Sequence, residues 1–256
     1  MKRSKFPLFV TAGCLLFLYL PVVILVLNSF SHSRFGGFAD GFSLRWYARL
    51  FQEKDLWEAL SNSLLIGFGA TAVSTVLGTL AAFALYLYPT RLQRIHYGLI
   101  YVPLIVPDIL LGIGLLLFFV IIHLPLGLFS VFIAHVTFCL SYVIMAILAR
   151  LQQLDFSVIE AAQDLGASGW TIFSRVLLPM ISPGIISGAL LAFTLSIDDF
   201  VITFFVAGKG ASTLPLYVYG MIKYGATPTI NALSTILLAL TFVGVWGAQK
   251  FMEEKN

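Results

Sequence analysis

Three carboxylates sit in stretches that are otherwise apolar: Asp108, directly after Pro107, and the adjacent pair Asp198 and Asp199. A carboxylate at the centre of a membrane-spanning helix costs roughly 2.5–3.5 kcal/mol on insertion scales, so such residues face a cavity or a partner rather than lipid. No Lys or Arg lies in those stretches to neutralise them, since Lys209 and Lys223 belong to a loop. The chemistry open to such a set is electrostatic capture of a cation. Asp108, Asp198 and Asp199 therefore read as an acidic cage for a cationic substrate, with a lysine snorkelling toward Asp199 as the competing, purely structural reading. Neighbours on a helix point about 100° apart, so Asp198 and Asp199 are not expected to face one cavity. Leu191, Thr194, Leu195 and Ile202 share the face of Asp198. Trp46, Phe193, Phe200, Tyr217, Tyr219 and Tyr224 fall toward the same side. Aromatic faces attract an alkylammonium by about 0.5–2 kcal/mol each, although any one of these rings also fits an interfacial belt. His135 reads as a hydrogen-bonded contact between helices in preference to a proton relay.

A second polar island runs from Glu160 through Ala161, Ala162, Gly166 and Trp170 to Pro179, between two segments long enough to cross a bilayer. Ser157 with Glu160 three residues on has the spacing of a capping box. Gly166 stands where a helix C-terminus wants a left-handed residue. Ser168 can cap a second short helix bearing Trp170, Phe173 and Val176/Leu177, and Pro179 helps to set where the next segment begins. Spacing alone is equally served by a linker with two tidy amphipathic turns.

Elements that could hold these groups follow from composition. The chain has 256 residues, 59% hydrophobic and 11% charged, against roughly 25% charged in a soluble domain, with a mean hydropathy of +0.97. A net charge of +3 is too small to argue for nucleic acid. The two cysteines, Cys14 and Cys139, read as small residues buried in apolar segments and make neither a disulfide framework nor a metal site. A Gly-rich phosphate loop with Lys-Ser/Thr is absent, as are metal-ligand His/Glu pairs and a Gly-x-Ser-x-Gly elbow. Any nucleotide must be bound by a partner.

The reading is an all-α membrane protein, 1–256 forming a single transmembrane domain with six spans at about 8–27, 61–86, 99–122, 128–149, 181–207 and 230–247. Each is close to the roughly twenty residues that a hydrocarbon core requires. The first span is too long for a signal h-region and is retained. A mixed-charge loop, 28–59, follows it, and the part from Leu44 to Leu60 has the pattern of an amphipathic surface helix. Small residues along the second span (Gly67, Gly69, Ala70, Ser74, Gly78) predict close packing at the centre of a bundle. Pro103 and Pro107 weaken the third span near its middle. Pro89, Arg91 and Arg94 form a short turn before it. Lys2, Arg3 and Lys5 ahead of the first span favour a cytoplasmic N-terminus, which puts the 150–180 loop in the cytoplasm.

Glu-Ala-Ala, three residues, Gly166, nine residues and then Val176-x-Leu-Pro179 resembles the EAA loop of bacterial ABC importer permeases, with Val176 where Ile is usual. Further pieces resemble the spermidine/putrescine importer permeases in the same order along nearly the whole chain. They are Asn28-Ser-Phe-Ser, Arg45-Trp-Tyr, Pro107-Asp108, Ala134-His-Val-Thr-Phe-Cys139, Ala192-Phe-Thr-Leu-Ser-Ile-Asp-Asp199, Thr213-Leu-Pro-Leu and Asn231-Ala-Leu-Ser-Thr. The resemblance implies a type I ABC importer permease fold in the bacterial inner membrane, with cytoplasmic EAA coupling helices. It implies one of two permease subunits forming a polyamine pore, two ATP-binding-cassette subunits that bind ATP and Mg, and an extracytoplasmic polyamine-binding protein. This chain would then be a transporter subunit without a cofactor or catalysis of its own. Asp108, Asp198, Asp199 and Trp46 carry over as substrate-pathway residues, and Glu160, Ala161, Ala162, Gly166 and Pro179 as ATPase-coupling residues. A permease for another cationic or small polar solute remains open. An ion-gradient-driven secondary transporter would explain the three acids equally well but leaves the Glu160 loop without a role.

Overall fold

In a computed structural model the protein is helical throughout, with residues 6–33, 41–87, 91–155, 157–225 and 228–253 described. Lys2, Arg3, Lys5 and Pro89 lie outside the described residues. The chain falls into two compact units, residues 1–57 with 218–256, and residues 58–217.

In the first unit, α1 (Phe6–Ser29) is apolar on every face and α12 (Thr229–Glu253) packs along it. The amphipathic segment is shorter than its pattern suggests. Helix α2 (Arg45–Gln52) stops where Glu53 turns extended, and the following residues already belong to α3 (Lys54–Leu87). Trp46 and Leu50 form the buried stripe of α2.

The second unit carries α4 (Gln93–Ile105), α5 (Asp108–Ile121), α6 (Leu128–Leu151) and α7 (Ser157–Asp164). A short α8 (Gly169–Thr171) widens into a π-turn at Ile172–Leu177 and runs on into α9 (Leu178–Asp198); α10 (Val201–Val206) follows, and α11 (Leu214–Lys223) leads out of the unit. Among the described residues α1, α3, α6 and the continuous Gly169–Asp198 rod are long and apolar enough to cross a membrane. The expected third span is a broken pair, α4 and α5, bent by 114°. The sixth is represented by the apolar part of α12, Thr229–Val243.

Helix α6 is the axis of this unit: Val131, Ala134, Cys139, Val143, Ile147 and Leu151 are wholly enclosed. Its neighbours reach it through glycine. A Cβ at Gly184 would lie 2.8 Å from Cβ of Arg150, and one at Gly188 would lie 3.3 Å from Cα of Val143. Gly78 of α3 meets the other side of Val143 in the same way, as the small-residue pattern of the second span predicts. Cys139 is buried as expected, whereas Cys14 is exposed on α1.

Two spans depart from regular helix, the third where the sequence placed only a weakness and the fifth where it placed none. Pro107 disfavours the α conformation at the residue before it, and Val106 is accordingly extended (φ −74°, ψ 132°). Pro107 is extended too, so α4 ends and α5 starts afresh instead of continuing through a kink. The fifth span stops at Asp198, where Asp199 turns extended (φ −66°, ψ 121°), and restarts at Val201.

Candidate substrate site and coupling loop

Both breaks open onto one cavity of about 240 Å³ within the second unit. Asp108, Asp198 and Asp199 all line it. This corrects the expectation that the adjacent pair would diverge. The 100° separation holds only inside a helix, and the helix has already ended between them. Asp108 is the first residue of α5, where the unpaired amides of a helix N-terminus favour negative charge. Asp198 closes α9, at the end where the dipole opposes one. Both are exposed, and neither has a hydrogen bond or salt bridge among the described residues.

Asp199 is different. Its Oδ1 accepts the amide of Ile202 at 3.2 Å, and its Oδ2 accepts the amide and hydroxyl of Thr203, each at 2.8 Å. His135 Nε2 lies 3.3 Å from the same Oδ2. The partner of Asp199 is thus a histidine from α6 and not a lysine from the loop. His135 also bonds Ser196 through Nδ1 at 2.7 Å and Thr203 through Nε2 at 2.9 Å, a contact between helices as its position suggested.

Phe138, Tyr142 and Phe200 supply aromatic walls, and Thr194, Leu195 and Ile202 line the cavity with Asp198, Ile202 from beyond the break. Leu191 is not among the lining residues. Phe193 packs on Phe68 at 4.8 Å instead of facing the cavity. Phe138 and Tyr142 went unnoticed in the sequence, although they lie three and seven positions after His135 and therefore on its helical face. Trp46 belongs to the other unit, buried, with its indole N–H donating to the Ser31 carbonyl at 2.8 Å and the Arg45 guanidinium 4.1 Å from its ring.

The Glu160 loop forms its bend as spaced. Gly166 is left-handed (φ 75°). Its amide donates to the Gln163 carbonyl, and the Ala167 amide to the Ala162 carbonyl, completing a Schellman closure of α7. Ser168 Oγ accepts the Thr171 amide at 3.3 Å, capping the next helix. Two details differ from expectation. Helix α7 begins at Ser157 itself, so Ser157 is no cap; Asp155 Oδ1 takes its amide at 3.0 Å. That bond holds the Asp155 carboxyl below the ordinary aspartate value. Pro179 stands in the first turn of α9, as expected, but it marks no break, because the rod runs through it from Gly169. Lacking an amide, it cannot bond back in α register, and the turn before it widens so that Leu178 donates to Phe173, five residues earlier. Glu160, Ala161, Gly166 and Pro179 are exposed and Ala162 is half-buried, with Leu165 (88% exposed) and Trp170 (73%) projecting beside them.

Residues 74–250, which contain this loop and all three acids, match the model of the binding-protein-dependent transport system inner membrane component family. The chain belongs to that family. It is a transport component of the inner membrane, multi-pass, and not an enzyme. The permease is 41% identical over 240 residues to the spermidine/putrescine transport system permease protein PotC of Haemophilus influenzae, covering 94% of this chain and 93% of that protein. It is 42% identical over 238 residues to the putrescine transport system permease protein PotI of Escherichia coli K12, covering 90% and 84%. Its fold matches a chain of a bacterial ABC transporter involved in the import of the acidic polysaccharide alginate, with a TM-score of 0.72 over 98% of both chains at 16% identity. The permease is therefore an all-α membrane protein of the type I ABC importer fold.

Proposed function

We propose that this permease forms half of the membrane pore of an ATP-driven importer of polyamines, spermidine and putrescine, working beside a second permease subunit. The observation that carries the proposal is the pair Asp108 and Asp198. Two carboxylates without hydrogen-bond or ion-pair partners among the described residues share a cavity with three aromatic rings, in a chain whose relatives at 41–42% identity are polyamine permeases. Ammonium groups supply the missing counter-charge, and the rings suit a methylene stem. Such a site holds its cargo weakly enough to release it because both acids remain hydrated in the open cavity.

Coupling follows from the exposed EAA segment. Leu165, Trp170 and Glu160 are offered to one of two ATP-binding-cassette subunits, which bind ATP and Mg. Closure of those subunits pushes α7 and the rod from Gly169 to Asp198. Because that rod runs unbroken from the loop to the cavity, a push at Trp170 is delivered directly to Asp198. A polyamine-binding protein delivers substrate from the far side, in keeping with the family's dependence on binding proteins.

The test is uptake of labelled spermidine and putrescine by vesicles containing the assembled complex, with and without internal ATP. Asp108→Asn and Asp198→Asn are each expected to lower uptake at least about tenfold, as loss of one charged contact does, with subunit assembly unchanged. Normal uptake in both variants would remove the acidic site. Uptake that follows an ion gradient without ATP would remove the coupling role of the loop.

A further inference from the structure

The three acids of the cavity do not share one role. Asp199 is already engaged by the protein: its Oδ1 accepts the Ile202 amide, its Oδ2 accepts the Thr203 amide and hydroxyl, and His135 Nε2 stands 3.3 Å from Oδ2. Its side chain is only 8% exposed, which leaves little of Oδ1 within reach of an ammonium. Asp198, one residue earlier, has no such partners and is exposed.

The hydrogen inventory closes around a neutral imidazole. Thr203 spends its proton on Asp199, so its oxygen accepts from His135 Nε2–H, and Nδ1 is left to accept from the Ser196 hydroxyl. His135 thereby ties both sides of the helix break to α6: Ser196 before it, and Asp199 and Thr203 after it. His135 and Ser196 are buried to within 1% and 4% exposure, and Thr203 completely. Within the break the Phe200 carbonyl accepts the Phe204 amide, and the side-chain network ties the break to α6.

We propose that His135 and Asp199 form a positioning pair, which holds the α9/α10 break so that Asp198 faces Asp108 across the cavity, and that Asp199 is not itself a ligand for the substrate. The pair acts only through Asp198. This rests on the polyamine reading for its transport assay but not for its structural one.

A double-mutant cycle on the assembled complex separates the roles. Asp199→Asn removes the charge around which these groups gather, and the KM for polyamine uptake should rise on the order of tenfold, with ATP-driven turnover at saturation changed much less. In an Asp198→Asn background the same substitution should add less than about twofold, because the residue through which it acts is already gone. Two independent, multiplying effects would make Asp199 a direct ligand and overturn the proposal. His135→Gln, which keeps an amide donor near Nε2, should recover much of the wild-type KM that His135→Leu loses; equal loss in both would also count against it. Should Asp199→Asn fail to assemble, Thr203→Val and Thr203→Ser supply the same contrast through one hydroxyl. A last arm does not depend on the cargo. The labelling rate of Asp198→Cys by a cationic thiol reagent should shift several-fold when Asp199→Asn or His135→Leu is added, and an unchanged rate would overturn the positioning role. If the wild-type complex transports no polyamine, the functional reading fails while the labelling arm still decides this one.

Discussion

Asp108 and Asp198 carry equal formal charge at opposite helix ends, and their energetics should differ accordingly. The N-terminal amides of α5 stabilise Asp108, whereas the C-terminal carbonyls of α9 oppose Asp198, each effect being about 0.3–1 kcal/mol. Asp198→Asn should therefore raise the thermal stability of the substrate-free permease slightly while weakening transport. The added stabilisation that polyamine gives the wild type should shrink in the same variant. A clear fall in melting temperature without substrate would contradict this. Asp155 permits a pH prediction outside the spans. Its folded-state pKa is depressed by the Ser157 amide, so the cap is fully present above the ordinary aspartate value and is lost only as pH falls through the lower, folded value. Hydrogen exchange of the α7 amides should thus be slower in the wild type than in Asp155→Ala at neutral pH, and the two should converge in strong acid. Convergence already at pH 7 would show that the cap does nothing.

At the scale of elements, the EAA bend shows what a short motif can specify. Gly166 at φ 75° closes α7 and turns the chain into the Ser168 cap within three residues. Gly166→Val should strain this turn by about 1–2 kcal/mol, since a β-branched residue is disfavoured there. Space is not the problem, because a Cβ at this position meets nothing within 4 Å. The expected outcome is that ATP hydrolysis loses its response to substrate while the helices of the second unit stay folded; retained coupling would mean that the bend is dispensable. The bend was legible in the sequence because its causes are local: a left-handed glycine and a serine cap. The existence of apolar helices was legible for the same kind of reason, since length and hydropathy alone mark a span, although the fifth runs Gly169–Asp198 where 181–207 was expected. The α4/α5 break was legible only as a weakness, and the α9/α10 break was not foreseen. Whether Pro103 and Pro107 kink a helix or end it depends on what receives the freed carbonyls. Asp199 caps α10 through the Ile202 and Thr203 amides, and its carboxylate also meets His135, sixty-four positions earlier, from α6. The same non-locality hid Phe138 and Tyr142, which join the acids only after α6 and α9 have packed through Gly184 and Gly188.

For the whole molecule the decisive quantity is the parity of crossings. Lys2, Arg3 and Lys5 favour a cytoplasmic N-terminus, and the EAA segment must share that side to meet an ATPase. This requires an even number of crossings between them, supplied by α1, α3, the α4/α5 pair and α6 only if the pair, bent by 114°, traverses the bilayer. A re-entrant pair would put Glu160 outside and leave the coupling segment with nothing to couple. With Cys14 and Cys139 replaced by alanine, single cysteines at Ser33, Arg91, His123 and Glu160 can be probed in intact cells with an impermeant maleimide. Ser33→Cys and His123→Cys should react at once, and Arg91→Cys and Glu160→Cys only after the membrane is opened. Protection of His123→Cys together with reaction of Glu160→Cys would make the pair re-entrant. Asp108, at the start of α5, would then line a vestibule open to one side instead of a path through the membrane. The expected pattern instead sets the α4/α5 break within the bilayer, so that Asp108 lies on a path through it.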